Sequence, residues 1–206
     1  MLNFGTKSTA QPQEILSYVV SLRRTSIFVK YGEFRGMQED QLLNIIKWQK
    51  PTFSYPKCNI DASICRSSKQ TGIGMVVRDD MGVFVVARCI TFQGCYQIKE
   101  AEAIGVREAL SWITNLGLKK VSFETDAKIV VDGLYSAVGG SEFDVILSEC
   151  RQLSADEPDF SVMFVQREGN KVPHELAKRS FSFVSPLVWT CPPPCIINLL
   201  LDDISD

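Results

Sequence analysis

Between residues 57 and 91 the hydrophobic pattern of this chain switches to short β-rich runs, and that switch restricts the fold more than any other feature of the sequence. Cys58–Ala62, Gly72–Arg78 and Val83–Thr91 read as three strands, the last two joined through Asp79-Asp80-Met81-Gly82. Short Asp/Gly turns between such runs indicate antiparallel neighbours. Over Gln97–Leu116, Ile98, Glu102, Gly105, Ala109 and Trp112 then recur at helical spacing, and Gly117 supplies a stop. Lys119–Thr125 resumes β character. Ala127–Tyr135 and Glu142–Leu153 read as helices on either side of Gly139-Gly140, Phe160–Val165 as a fifth strand, and Lys171–Phe183 as a closing helix. A meander that continues into strand–helix–strand crossovers predicts an α/β fold. The expected core is a five-stranded mixed sheet, order β-β-β-α-β-α-α-β-α, with helices on its faces.

With 206 residues and 45% hydrophobic content, the chain can bury one substantial core. Pro51 and Pro56 mark a boundary, so residues 1–50 are expected to form a separate, partly helical segment, with helices over Gln11–Lys30 and Asp40–Trp48 and no chemical motif. Residues 51–184 form the expected α/β domain. Residues 185–206, containing Pro192-Pro193-Pro194, read as a C-terminal tail. A net charge of -2 gives no global attraction to a polyanion, so nucleic-acid binding would need a local basic patch and metal ions. Seven cysteines without a framework spacing point to free thiols in a reducing, intracellular setting, nucleus and cytoplasm being undistinguished. Cys191 and Cys195 lack the second pair that a zinc knuckle needs. No run reaches the roughly 18 apolar residues of a membrane span. A soluble monomer without a membrane partner is expected.

Asp61 and Asp126 each stand at the end of a strand-like run, and Glu102 shares a helix face with Ile98, Gly105 and Ala109 that should meet the sheet. Singly, these acids read as a turn residue, a helix N-cap and a half-solvated helix residue. Together they place three carboxylates where an α/β fold can aim them at one point. A carboxylate facing a sheet needs a partner, and no basic residue stands at the ends of the first and fourth strands, which favours a cation. The chemistry so suggested is a two-metal phosphodiester site. Glu100 and Glu124 read as solvated or supporting residues. Gly72-Ile73-Gly74 reads as backbone clearance within a strand, since neither a Walker-type loop nor a Gly-x-Gly-x-x-Gly fingerprint occurs.

Residues 57–184 resemble the type 1 ribonuclease H family, in particular the branch attached to plant retroelements. The resemblance rests on Lys57-Cys58-Asn59-Ile60-Asp61-Ala62-Ser63, Gly72-Ile73-Gly74-Met75-Val76-Val77-Arg78-Asp79, Glu100-Ala101-Glu102-Ala103, Glu124-Thr125-Asp126, and the run from Val165 through Arg167, Asn170 and His174 to Lys178. It implies that Asp61, Glu102 and Asp126 ligate two Mg²⁺ ions, with Mn²⁺ as a substitute. His174 would complete the catalytic set, and the reaction would be cleavage of the RNA strand in RNA/DNA hybrids. Ala62 stands where many members have glycine. His174 stands where many have a fourth aspartate, although the plant branch often carries histidine there. The loop before Asn170 is too short for the mobile histidine of some members, and Ser136–Glu142 holds no basic cluster to grip a hybrid. A nucleic-acid-binding module without turnover, or an interaction scaffold of retroelement origin, is the alternative.

Overall fold

A computed structural model describes residues 47–51, 55–136 and 139–204 of the protein. The expected helix over Gln11–Lys30, and nearly all of the one over Asp40–Trp48, lie outside the described residues. The meander forms β1 (Lys57–Cys65), β2 (Gln70–Arg78) and β3 (Phe84–Gln93), followed by helix α1 (Ile98–Asn115) and strand β4 (Ser122–Thr125). Helices α2 (Lys128–Leu134) and α3 (Glu142–Ala155), strand β5 (Ser161–Phe164), a 3₁₀ turn at Arg167–Asn170 and helix α4 (Lys171–Arg179) complete the expected order. A sixth strand, β6 (Leu187–Trp189), and helix α5 (Ile197–Ile204) then follow. The sheet runs β5-β4-β1-β2-β3-β6 among the described residues. β1 pairs parallel with β4, β4 pairs parallel with β5, and the remaining neighbours are antiparallel.

The sheet therefore has six strands, not the expected five. The extra strand lies in the segment expected as a tail. β6 is three residues long, too short to carry a period-two signal, and it is held by the pairing of Ala87, Cys89 and Arg88 with Trp189, Leu187 and Val188. The closing helix also ends at Arg179, with a 3₁₀ turn over Ser180–Ser182, short of the expected Phe183.

Alternation along β1 and β2 sorts side chains between the two faces of the sheet. Cys58, Ile60, Ile73, Met75 and Val77 turn to one face, where α1 supplies Val106, Ala109, Leu110 and Ile113 and α3 supplies Phe143, Leu147 and Cys150. Val76 turns to the other face and packs with Val172 and Leu176 of α4 and with Ile196. β2 is thus covered on both sides, as its nearly unbroken apolar sequence requires. Helix α4 approaches β2 backbone to backbone. A Cβ at Gly74 would stand 2.3 Å from the Pro173 carbonyl oxygen and 2.5 Å from the Ala177 nitrogen, so the glycines of this strand do provide clearance. Gly82 closes the β2–β3 turn at φ 86°, while the Asp79 carboxylate accepts the Met81 and Val83 amides at 3.0 and 2.8 Å.

Candidate active site

The parallel register of β1 and β4 brings two of the three acids together. Ile60 pairs with Thr125, the last residue of β4, so Asp61 and Asp126 occupy the next positions on neighbouring parallel strands. Asp61 also lies opposite Gly74 of β2, on the sheet face opposite Ile60, and is 2% exposed. Glu102 reaches the same place from α1, where the Ala62 amide hydrogen-bonds to it. One of its oxygens, Oε2, is fully buried and has no hydrogen-bond partner. Ile98, expected on the sheet-facing side with Glu102, is 69% exposed, because as the first residue of α1 it lines the cavity beside Ser63 and Ile64 instead of packing into the core.

Electrostatics ties the acids into one group. Burial pushes Asp61 up from 3.8 to about 6, with the neighbouring Asp126 acting in the same direction and His174 opposing it. Burial also raises Glu102 well above the carboxylate range, and the charges of Asp61 and Asp126 add to the shift. Asp61, Glu102, Arg66, Arg167 and His174 line one cavity of about 280 Å³, rimmed by Ser63, Ile64 and Ile98.

Four polar residues hold this group, and the sequence singles out only His174 among them. His174 Nδ1 lies 2.6 Å from Asp61 Oδ2, and its Nε2 lies 3.2 Å from an amine of Arg167. A guanidinium can only donate, so Nε2 accepts and the imidazole proton sits on Nδ1, donated to Asp61. Both ring nitrogens are then engaged. The other amine of Arg167 lies 3.6 Å from Asp126 Oδ2. Asn170 donates from Nδ2 to Asp126 Oδ1 at 2.9 Å and to the Ile60 carbonyl at 2.8 Å. Asn59, buried between Cys58 and Ile60, donates to Asn170 Oδ1 at 3.3 Å and to Glu124 Oε2 at 2.9 Å. A polar residue inside an apolar strand was the one available signal for Asn59. Arg167 and Asn170 stand one 3₁₀ turn apart, and only the fold reveals that this turn lies over the acids. The expectation that no base stands at the strand ends is therefore corrected, since Arg167 arrives there from a different part of the chain. Glu100 and Glu124 are both 7% exposed rather than solvated, Glu100 in the capping box of α1 and Glu124 in a 2.6 Å ion pair with Lys57.

A hard divalent cation suits the donor set in charge and oxygen chemistry, and the unfilled Glu102 Oε2 is an acceptor that it would satisfy. Among the described residues, however, no three His, Cys, Asp or Glu side chains are gathered closely enough to hold an ion as they stand. His174, Asn170 and Arg167 occupy Asp61 and Asp126 instead.

Residues 59–180 match the family described as reverse transcriptase-like. Comparison with curated proteins gave no match. Among solved structures, the chain is similar to RNase H1 from the halophilic archaeon Halobacterium salinarum, at 20% identity and a TM-score of 0.56, covering 62% of this chain and 98% of that one. It is similar to LC11-RNase H1, solved in complex with an RNA/DNA hybrid, at 18% identity and a TM-score of 0.54, covering 62% and 96%. It is also similar to a foamy viral protease-reverse transcriptase, at 14% identity and a TM-score of 0.51, covering 76% of this chain and 22% of that one. At these identities the structural likenesses establish a ribonuclease H-like fold.

Proposed function

The chain belongs to the reverse transcriptase-like family, and from that membership and the geometry of its site we propose that it is a metal-dependent endonuclease that cleaves the RNA strand of RNA/DNA hybrids. The observation that carries this reading is the proximity of Asp61, Glu102 and Asp126, with a buried Glu102 oxygen left unpaired. Asp61, Glu102 and Asp126 would hold two Mg²⁺ ions, Mn²⁺ being a chemically similar substitute. Such ions, when bound, supply a water-derived nucleophile and neutralise the leaving oxygen. Asn170 orients Asp126 by donating to its Oδ1, and Asn59 in turn fixes Asn170. His174 holds a proton at Nδ1 against Asp61. The direct test is a labelled RNA/DNA hybrid incubated with Mg²⁺, wild type beside Asp126→Asn. RNA-strand cleavage by wild type, abolished in the variant, supports the reading, and no cleavage by folded wild type sinks it.

One observation favours a second reading, a nucleic-acid-binding module without turnover. In the structure His174 already donates to Asp61 and Arg167 already faces Asp126, two of the carboxylates that would hold the ions. That reading predicts hybrid binding that is indifferent to divalent ions. Its measurement is the same hybrid, followed by binding in place of cleavage.

A further inference from the structure

A nucleic acid approaching this site meets three carboxylates, so its phosphates need a cation that the protein itself supplies. The 3₁₀ turn after β5 provides one. Arg167 lines the cavity with Asp61 and Glu102, stands 3.6 Å from Asp126 and 3.2 Å from His174 Nε2, and has a side chain that is 65% exposed. Its present contacts are long and solvent-accessible, so little is lost in leaving them. A guanidinium presents a planar fork of donors that matches two phosphate oxygens better than it matches one carboxylate oxygen and one ring nitrogen. Arg66, on the β1–β2 turn, lines the same cavity and adds a second guanidinium along one path.

We infer that Arg167 is the residue that takes a backbone phosphodiester of the bound nucleic acid, moving to it from Asp126 and His174. This deepens the proposed function and rests on its claim that nucleic acid enters this cavity. The move has two consequences within the protein. Asp126 Oδ2 loses its cation and becomes available as a ligand, and His174 Nε2 recovers its lone pair while Nδ1 keeps its proton against Asp61. Substrate would thereby open the carboxylate site that Arg167 closes in its absence.

The test compares wild type, Arg167→Gln and Arg167→Lys on one RNA/DNA hybrid with Mg²⁺, across a salt series, following both cleavage and equilibrium binding. Removing a charge-assisted phosphate contact should lower kcat/KM by about 10- to 100-fold in Arg167→Gln. It should also make the slope of log affinity against log salt shallower by about one. Arg167→Lys keeps the charge but not the fork, so it should retain the salt slope and recover only part of the rate. An unchanged rate and slope in Arg167→Gln overturns the inference. So does a lower rate with an unchanged slope, since that marks a role confined to the carboxylates. If wild type binds the hybrid but does not cleave it, the enzyme reading fails, and a shallower slope in Arg167→Gln still supports the phosphate contact. If wild type neither binds nor cleaves, both fall. Thermal unfolding of the variants, expected to match wild type for so exposed a side chain, shows that each is folded.

Discussion

His174 Nδ1 lies 2.6 Å from Asp61 Oδ2, so the imidazole works here as a hydrogen-bond donor to that carboxylate. Removing the imidazole leaves a buried carboxylate without its partner. Under the proposed activity, His174→Ala should reduce hybrid cleavage by about 10- to 100-fold, the usual cost of losing a residue that orients a ligand. Steady-state kinetics with a labelled hybrid would measure it. A His174→Ala variant as active as wild type would show that Asp61 needs no such support.

Stability should depend on pH through the same acid. Asp61 titrates near 6 in the folded chain against an ordinary 3.8, so between those values the native state binds more protons than the unfolded state. The stability contributed by the group is fully present below about pH 4 and is lost as pH rises through about 6, with Glu102 acting in the same direction. In chelator, the wild-type melting temperature should therefore fall relative to Asp61→Asn as pH is raised from 4 to 7. Mg²⁺ should restore part of the difference at pH 7. Parallel pH profiles for the two proteins would contradict the raised value.

Gly74→Ala should destabilise the fold by about 1–3 kcal/mol, as overpacking does when the neighbours cannot yield. The added methyl meets the Pro173 carbonyl oxygen and the Ala177 nitrogen, both main-chain atoms of α4. Urea unfolding would read the loss. Because α4 also carries His174, cleavage should fall with it.

Asp203→Ala should cost about 3–5 kcal/mol, the penalty for stranding a buried charge. Arg78 is fully buried, bonds to Asp203 at 2.6 Å and to Asn59 Oδ1 at 3.0 Å, and stacks on Trp48 at 3.6 Å from the ring centroid. Trp48 Nε1 donates to the same Asn59 oxygen at 2.9 Å. Chemical denaturation should reveal the loss, and limited proteolysis should cut first within α5. An unchanged unfolding midpoint would mean that Arg78 finds solvent or another acceptor.

The meander, the crossovers and the position of Asp126 just past the end of β4 were legible because each rests on local signals: period-two alternation, an Asp/Gly turn, a helical repeat. Asp61, expected at a strand end, lies instead in the middle of β1, which pairs with β2 as far as Cys65. The pieces that escaped are those created by distant partners. Leu187–Trp189 becomes a strand only because β3 offers an open edge. Arg78 is only the last residue of a strand in the sequence, and its burial comes from Trp48 and Asp203, which close over it. Arg167 reaches Asp126 across a turn whose position depends on the order of β4 and β5. Ile98 follows the helical repeat faithfully and is exposed all the same, since periodicity fixes a face and not whether the fold sets core or cavity against it.

The matching of Ile60 with Thr125 has a consequence for how this protein can change over time. Adjacent strands are held about 4.8 Å apart by their backbone hydrogen bonds. The separation of Asp61 and Asp126 is therefore set by a ruler in which neither side chain takes part. Mutation can silence such a site one residue at a time while the ruler stays intact, and a single reversion can find the original spacing waiting. A chain carrying this sheet can lose and regain either acid without ever refolding.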